Sequence, residues 1–545
     1  MKKEMKKNEF TESTFISWLA ITASKLLGVI YNIPFYALIG DQGGFLYSIA
    51  YQIYALFLDI STSGIPTAIS IVVGHYNSLK KYASKEKAFR IGSKAILFVS
   101  VLSFLFMQFG DEMIAKFYLS SMEEGTTIAE VASAIRFVSF CVLIVPFLSI
   151  RRGYLQGHHF FQLSSASQVI EQLVRIAFAL LGSYLMIRVL KLGIPSGVYI
   201  ALFGAFIGAL IAFLYVDINI RRNKNSFPKG SAEEKTDSTR SIVWKITGYC
   251  ATITLVSIAS SVYNIIDTKL MLVGLRNIGY SDLTNQEISS LISSWVPKMT
   301  EVMGALAIAM TSSIAPHIAD SFAKKDMQDV CAKINKGISI LLLICIPLTV
   351  GIYVFAEPYF RMFYGYNQYG PILLRINVVF NLIACFTMVL SMTLQSLDKG
   401  KDVVWITLLC IVINTSLDLP LIYLFNFLGF PAYLGPGTSS IIAESIKIFI
   451  ILRLIHKTIR ISYHDSFVIL KKEILPLLAM SITVILFKII WPPVNSRLLL
   501  VVQLILYALS GVIVFGVLGL HNNMIQKVFG KETIYRFLRK LGIKL

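Results

Sequence analysis

Apolar runs of about twenty residues, each matching the roughly 30 Å depth of bilayer hydrocarbon, recur along the chain from residue 14 to residue 520. Read with a window of about 19 residues, they predict fourteen transmembrane helices, at 14–40, 45–73, 89–109, 128–150, 161–188, 193–218, 242–273, 288–316, 332–355, 371–397, 402–426, 435–455, 473–492 and 497–520. The expected fold class is therefore all-α, a polytopic membrane protein. Connections after odd-numbered spans are short or acidic, as in DQGG at 41–44 and GDEMIAKFYLSSMEEGTT at 110–127. Those after even-numbered spans are basic, as in NSLKKYASKEKAFR, RRGYLQGHH, RRNKNSFPKG and RLIHKTIR. By the positive-inside rule the basic side is cytoplasmic, which predicts a multi-pass plasma-membrane protein with both termini in the cytoplasm.

The pattern also divides the chain. The longest polar connection, 218–241, predicts a flexible cytoplasmic linker after an N-terminal six-helix lobe at 1–217. A second six-helix lobe is expected over 242–456, two additional transmembrane helices over 457–520 and a cytoplasmic tail over 521–545. The two lobes carry matching signatures. VIYNIP at 29–34 is echoed by SVYNII at 261–266, and SGIP at 63–66 by SIAP at 313–316. Arg136 precedes Leu155-Gln156 by the interval that separates Arg375 from Leu394-Gln395. Their common order predicts a duplicated unit of six helices in parallel orientation, hence a pseudo-two-fold axis along the membrane normal. In the tail, Ile534, Phe537, Leu538 and Leu541 share one helical face, the pattern of an interfacial amphipathic helix, although a plain basic tail fits the topology equally. MKKEMKKNEF followed by an apolar stretch resembles a signal peptide, but the apolar character continues through LLGVIYNIPFYALIG, which predicts a retained span.

Composition changes this picture little. Of 545 residues, 55% are hydrophobic, against about 45–50% in a typical soluble domain. A net charge of +19 would suit nucleic acid, but the basic residues flank spans on one side, so a membrane surface is expected and nucleic acid is not. The six cysteines show no CxxC or paired spacing, which predicts neither disulfide nor metal site. No P-loop, HExxH or GxSxG is present, so no cofactor is expected, and transport would draw on an ion gradient, the membrane potential or substrate flux. A membrane-embedded glycosyl transferase or ligase is the enzymatic alternative; the short loops argue against it.

Charges within the spans carry the candidate chemistry, because an ionisable group at the bilayer centre costs about 2.5–3.5 kcal/mol and faces protein or a wet cavity. In span five, Ser164, Gln168, Glu171, Gln172 and Arg175 form one stripe of a helix that is apolar elsewhere. Glu171 and Arg175, spaced i to i+4, either pair along their own helix or line a hydrated chamber. Ser24, Lys25, Gly28 and Asn32 stack in span one, Ser260, Asn264 and Asp267 in span seven, and Lys298 and Glu301 in span eight. Candidate substrate-binding residues are thus Ser24, Lys25, Asn32, Glu171, Arg175, Asn264, Asp267, Lys298 and Glu301. Gly64 and Pro66 after Asp59 are positioned to break span two. Lys245, Lys447 and Lys488 are long enough to snorkel to an interface and are set aside.

SKLLGVIYNIPFYALIG, RRGYLQGHHFFQLSSASQVIEQLVR at 151–175 and SIAPHIADSFAKKD at 313–326 resemble the polysaccharide-export branch of the multidrug/oligosaccharidyl-lipid/polysaccharide flippase superfamily. Within it the chain is similar to lipid II flippases of the MurJ type and their sporulation relatives. The resemblance implies two six-helix lobes working by alternating access, with a cationic cavity for the pyrophosphate and sugar of an undecaprenyl-linked oligosaccharide. It also implies a groove at the two C-terminal helices for the polyprenyl tail. Ser24-Lys25 matches a Ser-Arg pair of the family, with a point charge in place of a fork. Two further basic positions of the family match Tyr31-Asn32 and the neighbourhood of Leu58-Asp59, which lack the positive charge. Lys298 and Glu301 approximate its acid–base pair in span eight. The expected function is flipping of lipid II without covalent chemistry, with membrane lipid and a coupling monovalent ion as further partners. Alternatives are a flippase for another lipid-linked polysaccharide unit, a MATE-like drug/cation antiporter and a non-transporting wall-synthesis scaffold.

Overall fold

The computed structural model describes residues 27–120, 122–158, 160–222, 236–530 and 532; its long apolar runs are helical, and no strand occurs among the described residues. Ser24 and Lys25, and the amphipathic stretch of the tail from residue 533, lie outside the described residues. The chain forms two compact units, Met1–Trp295 and Val296–Leu545.

The first unit contains α1 (Asn32–Thr62), α2 (Ile65–Ser78), α3 (Tyr82–Phe109), α4 (Asp111–Leu119), α5 (Ile128–Gly157), α6 (Phe161–Ala177), α7 (Ile194–Arg222), α8 (Thr239–Asn277) and α9 (Asp282–Ser290). At its centre α5 packs against α1, α2, α3, α6 and α7. Its start is set by a capping box: Thr127 accepts from the Glu130 amide while the Glu130 carboxylate accepts from the Thr127 amide at 2.8 Å. α8, whose sequence was assigned to the second lobe, packs on α1 and α2.

The second unit contains α10 (Val296–Ala323), α11 (Met327–Val354), α12 (Ala356–Tyr364), α13 (Gly370–Ser396), α14 (Gly400–Phe427), α15 (Gly435–Ile459), α16 (His464–Ile490), α17 (Arg497–His521) and α18 (Met524–Phe529). Here α13 is the counterpart of α5, packing against α10, α11 and α15. In each unit a nine-residue helix, α4 or α12, follows the third expected span of its lobe.

Among the described residues eleven helices are long and apolar enough to cross a membrane. Within Leu27–Thr62 two helices meet at a kink at Gly40 (φ 63°, ψ −162°), where expected span one ends and before expected span two begins; that conformation is open to glycine and closed to most other residues. α10 and α15 have 28 and 25 residues, reaching about 42 and 37 Å at 1.5 Å per residue. The break expected at Gly64 and Pro66 is present between α1 and α2.

Lys245 does not snorkel freely. Its Nζ lies 3.2 Å from the Asp237 carboxylate and 4.8 Å from the centre of the Tyr76 ring. Asp237, on the segment before α8, also accepts from the Tyr76 hydroxyl at 2.8 Å and from Lys81 at 3.2 Å, and its amide donates to Ser84 Oγ at 2.9 Å. The Tyr76 hydroxyl, then the lysines, hold its carboxyl down to about 2, from an ordinary 3.8. A depressed carboxyl stabilises the fold above its ordinary value and loses that contribution as pH falls through the folded value. The unfolding midpoint is therefore expected to drop between about pH 4 and pH 2, and Asp237→Asn to remove that part of the pH profile. A variant that titrates like the wild type would contradict this.

Candidate functional site

The polar stripe of α6 is built against α5. The fourth span was expected to end at residue 150, but α5 continues as helix to Gly157. Arg152 and Gln156, one turn apart, therefore reach α6: Gln156 Nε2 donates to Ser164 Oγ at 3.1 Å and Arg152 Nε to Ser167 Oγ at 2.7 Å. Arg152 Nη2 also lies 2.8 Å from Glu171 Oε2. Pairing of Glu171 with Arg175 along one helix is thus corrected: the partner of Glu171 is Arg152, a residue the sequence reading counted among loop charges. The other side of α6 and its continuation exposes Leu173 and Leu181, an apolar face fit for lipid.

With Glu171 engaged, Arg175 finds a different setting. Its Nη2 donates to Tyr47 Oη at 3.1 Å, and its guanidinium carbon stands 5.4 Å from the centre of the Tyr51 ring. Tyr47 and Tyr51 stack at 5.8 Å, and Tyr51 meets Tyr54 edge-on at 5.5 Å. A wall of α1 tyrosines therefore orients the cation through a hydrogen bond and a cation–π contact. No carboxylate among the described residues forms an ion pair with Arg175. α7 comes close enough to hold this arrangement because of Gly208, where a Cβ would sit 2.7 Å from the Glu171 carbonyl oxygen. Counting Arg152, Arg175 and Glu171, the cluster carries one net positive charge.

Asn32 is buried, and its Nδ2 donates to Gly28 O at 2.7 Å within its own helix. Span one approaches α6 here, since a Cβ on Gly28 would lie 3.1 Å from Gln172 Nε2. On α8, Ser261 Oγ donates to Asp59 Oδ2 at 2.5 Å and Thr268 Oγ1 to Gln52 Oε1 at 3.2 Å. These contacts fix α8 to α1, leaving Asn264 exposed and Asp267 half-buried. Asp59 also accepts from Ser63 Oγ at 2.7 Å, next to the helix break.

In the second unit Lys298 Nζ donates to Glu301 Oε1 at 2.5 Å, both side chains remaining more than a third exposed. Behind them, Thr300 donates to Asn377 Oδ1 at 2.8 Å and accepts from Asn381 Nδ2 at 2.7 Å, tying α10 to α13. Lys447 is nearly buried and lies 3.3 Å from Glu444, so it too is paired where snorkelling was expected. The structure thus joins Glu171 and Arg175 with Arg152, Tyr47 and Tyr51, and separately joins Lys298 with Glu301.

Helices long enough to span a membrane, with hydrogen-bonded charges on their packed faces, define a polytopic helical-bundle membrane protein. Residues 10–280 match the family described as polysaccharide biosynthesis protein, and residues 252–419 match the MatE family. The chain is 29% identical over 557 residues to Lipid II flippase MurJ of Bacillus subtilis (strain 168), covering 98% of this chain and 99% of that protein. It is 20% identical over 418 residues to Stage V sporulation protein B of the same organism, covering 76% and 78%. Among solved structures, Lipid II flippase MurJ in an inward closed conformation superposes with a TM-score of 0.64 at 15% identity, covering 97% of this chain and 99% of that one. An inward-facing MATE family multidrug transporter of the MOP superfamily gives 0.65 at 12% identity, covering 81% and 96%. The chain is thus similar along nearly its whole length to a lipid II flippase, and its fold is that of MOP superfamily transporters.

Proposed function

We propose that this protein moves lipid II, the undecaprenyl-pyrophosphate-linked peptidoglycan precursor, from the inner to the outer leaflet by alternating access of two six-helix lobes, with both termini in the cytoplasm. The observation that carries the reading is Arg175, a guanidinium oriented by tyrosines and without a carboxylate partner among the described residues. Of its five N–H donors, one is taken by Tyr47, and the remainder suit the bidentate grip of a phosphate. Similarity to a lipid II flippase along nearly the whole chain supports the same substrate.

The physical task is to shelter a pyrophosphate whose transfer into hydrocarbon unpaired is prohibitive. Arg175 supplies the fixed charge, Glu171 offsets Arg152, and Lys25 adds positive charge that the diphosphate can share. Glu171 and Asp267 balance these cations or exchange a monovalent ion. No bond is made or broken, so reorientation, not catalysis, is the step the protein performs.

Depleting the protein and assaying both leaflets tests this: lipid II is expected to accumulate on the inner leaflet. Accumulation there of a different undecaprenyl-linked glycan would favour the second reading, export of another polysaccharide unit, to which the polysaccharide-biosynthesis family match also points. No change in either lipid would overturn both.

A further inference from the structure

A cavity of about 340 Å³ lies within the second unit, between the first turns of α11, the start of α16 and the short helix α18. Its walls are pinned by hydrogen bonds. Asn335 Nδ2 donates to Ser462 O at 2.9 Å while Asn335 Oδ1 accepts from Ser466 Oγ at 2.9 Å, fixing α11 against α16. Lys472 Nζ donates to Asn522 O at 2.9 Å and Asn522 Nδ2 returns a bond to Lys472 O at 2.8 Å. Asn523, in the left-handed region at φ 58°, then turns the chain into α18 and back over the cavity.

The lining separates charge from apolar surface. Lys336, Asp465 and Lys527 stand at the exposed mouth, and Ser339, Ile469 and Val528 form a buried floor. Lys527 is balanced by Asp465 at 2.9 Å. Lys336 has no ion-pair or hydrogen-bond partner among the described residues, so the mouth keeps one net positive charge. Phe529, also lining the cavity, is 38% exposed and extends the apolar floor outward as a ledge. Lys333, Lys457, Arg460 and Lys471 lie on the same sequence segments that bound this end of α11, α15 and α16.

A pocket of this size is in the range that holds small ligands, about 300–1,000 Å³. Basic pockets between membrane helices at the cytoplasmic surface suit lipid headgroups, because anionic lipids concentrate in that leaflet. We infer that this cavity binds the phosphodiester headgroup of an anionic phospholipid, with Lys336 and Ser339 as donors to the phosphate and Phe529 as the ledge for the first acyl carbons. One unmatched lysine fits one phosphodiester charge, which favours a monoanionic glycerophospholipid. The site goes beyond the transport reading and uses residues of the second unit alone.

The test is lipid binding by the purified full-length protein, read by native mass spectrometry and by the unfolding midpoint, without any transport assay. Phosphatidylglycerol is expected to be retained and to raise the midpoint, whereas phosphatidylcholine and inorganic phosphate are not. Lys336→Gln is expected to weaken phosphatidylglycerol binding about tenfold, the loss of one charge-assisted hydrogen bond. Ala332→Trp, at an exposed lining position, should block the cavity without touching the core. Lys401→Gln, an exposed lysine outside the cavity, should leave binding unchanged. Equal binding of phosphatidylcholine, equal protection by inorganic phosphate, or full binding by both cavity variants would each overturn the proposal. So would binding that appears only after removal of residues 531–545, which would make the chain's own C-terminal segment the occupant.

Discussion

Arg175→Ala is expected to lower translocation of the lipid-linked substrate by about two to three orders of magnitude while leaving the protein folded. Hydrogen bonds to charged groups contribute about 1.5–3 kcal/mol each, so losing a two-pronged grip on a phosphate in transit costs about 3–4 kcal/mol, with each 1.36 kcal/mol a factor of ten in rate. Stability should fall far less, because among the described residues the hydrogen bond broken is the one to Tyr47 Oη, a contribution of about 1 kcal/mol. Arg175→Lys, which keeps the charge and loses the fork, should fall between, about tenfold down. Tyr47→Phe should cost less than either, since the Tyr51 face still orients the guanidinium. The measurement is outer-leaflet appearance of the precursor in cells whose sole copy is the variant, normalised to the amount of protein in the membrane. Normal flux with Arg175→Ala present at wild-type levels would remove Arg175 from the transport path and with it the central argument for an anionic headgroup.

The sequence made the helical class and the polar face of α6 legible because both are periodic signals longer than a helical turn. What it hid has physical causes. α4 and α12 are nine residues each, about half a hydropathy window, so their regions read as polar connections. α5 was cut short because Arg151-Arg152 looks like the end of a span, yet the helix continues and Arg152 becomes the partner of Glu171. An i to i+4 pair on one helix is plausible from spacing alone, but spacing cannot reveal a competing guanidinium from another helix. Tyr47 and Tyr51 gave no signal, since aromatic residues in a membrane helix read as apolar until a cation is placed beside them. Lys245 and Lys447 were set aside as free to reach an interface, and each instead has a carboxylate within 3.3 Å.

Glu171 separates a structural from a transporting role. Glu171→Ala strips the charge partner from Arg152, whose side chain is only 13% exposed, and removing one member of a buried pair costs about 3–5 kcal/mol. A loss toward the lower end is expected, because Ser167 still accepts from Arg152 Nε. Replacing both members with apolar side chains, as in Arg152→Met with Glu171→Leu, should recover most of the lost stability, since no unpaired charge is left. If the pair only locks α5 to α6, flux should recover with stability. If Glu171 balances charge during transport, the double variant should be as stable as the wild type and still transport poorly, and Glu171→Gln should change how flux depends on membrane potential or pH. The second pattern is the expected one, because the pair lies one helical turn from Arg175 and sets the net charge that the headgroup meets. Thermal unfolding and potential-dependent translocation, measured on the same preparations, decide between them; flux by Glu171→Gln unchanged at every potential and pH would leave the pair a helix clamp.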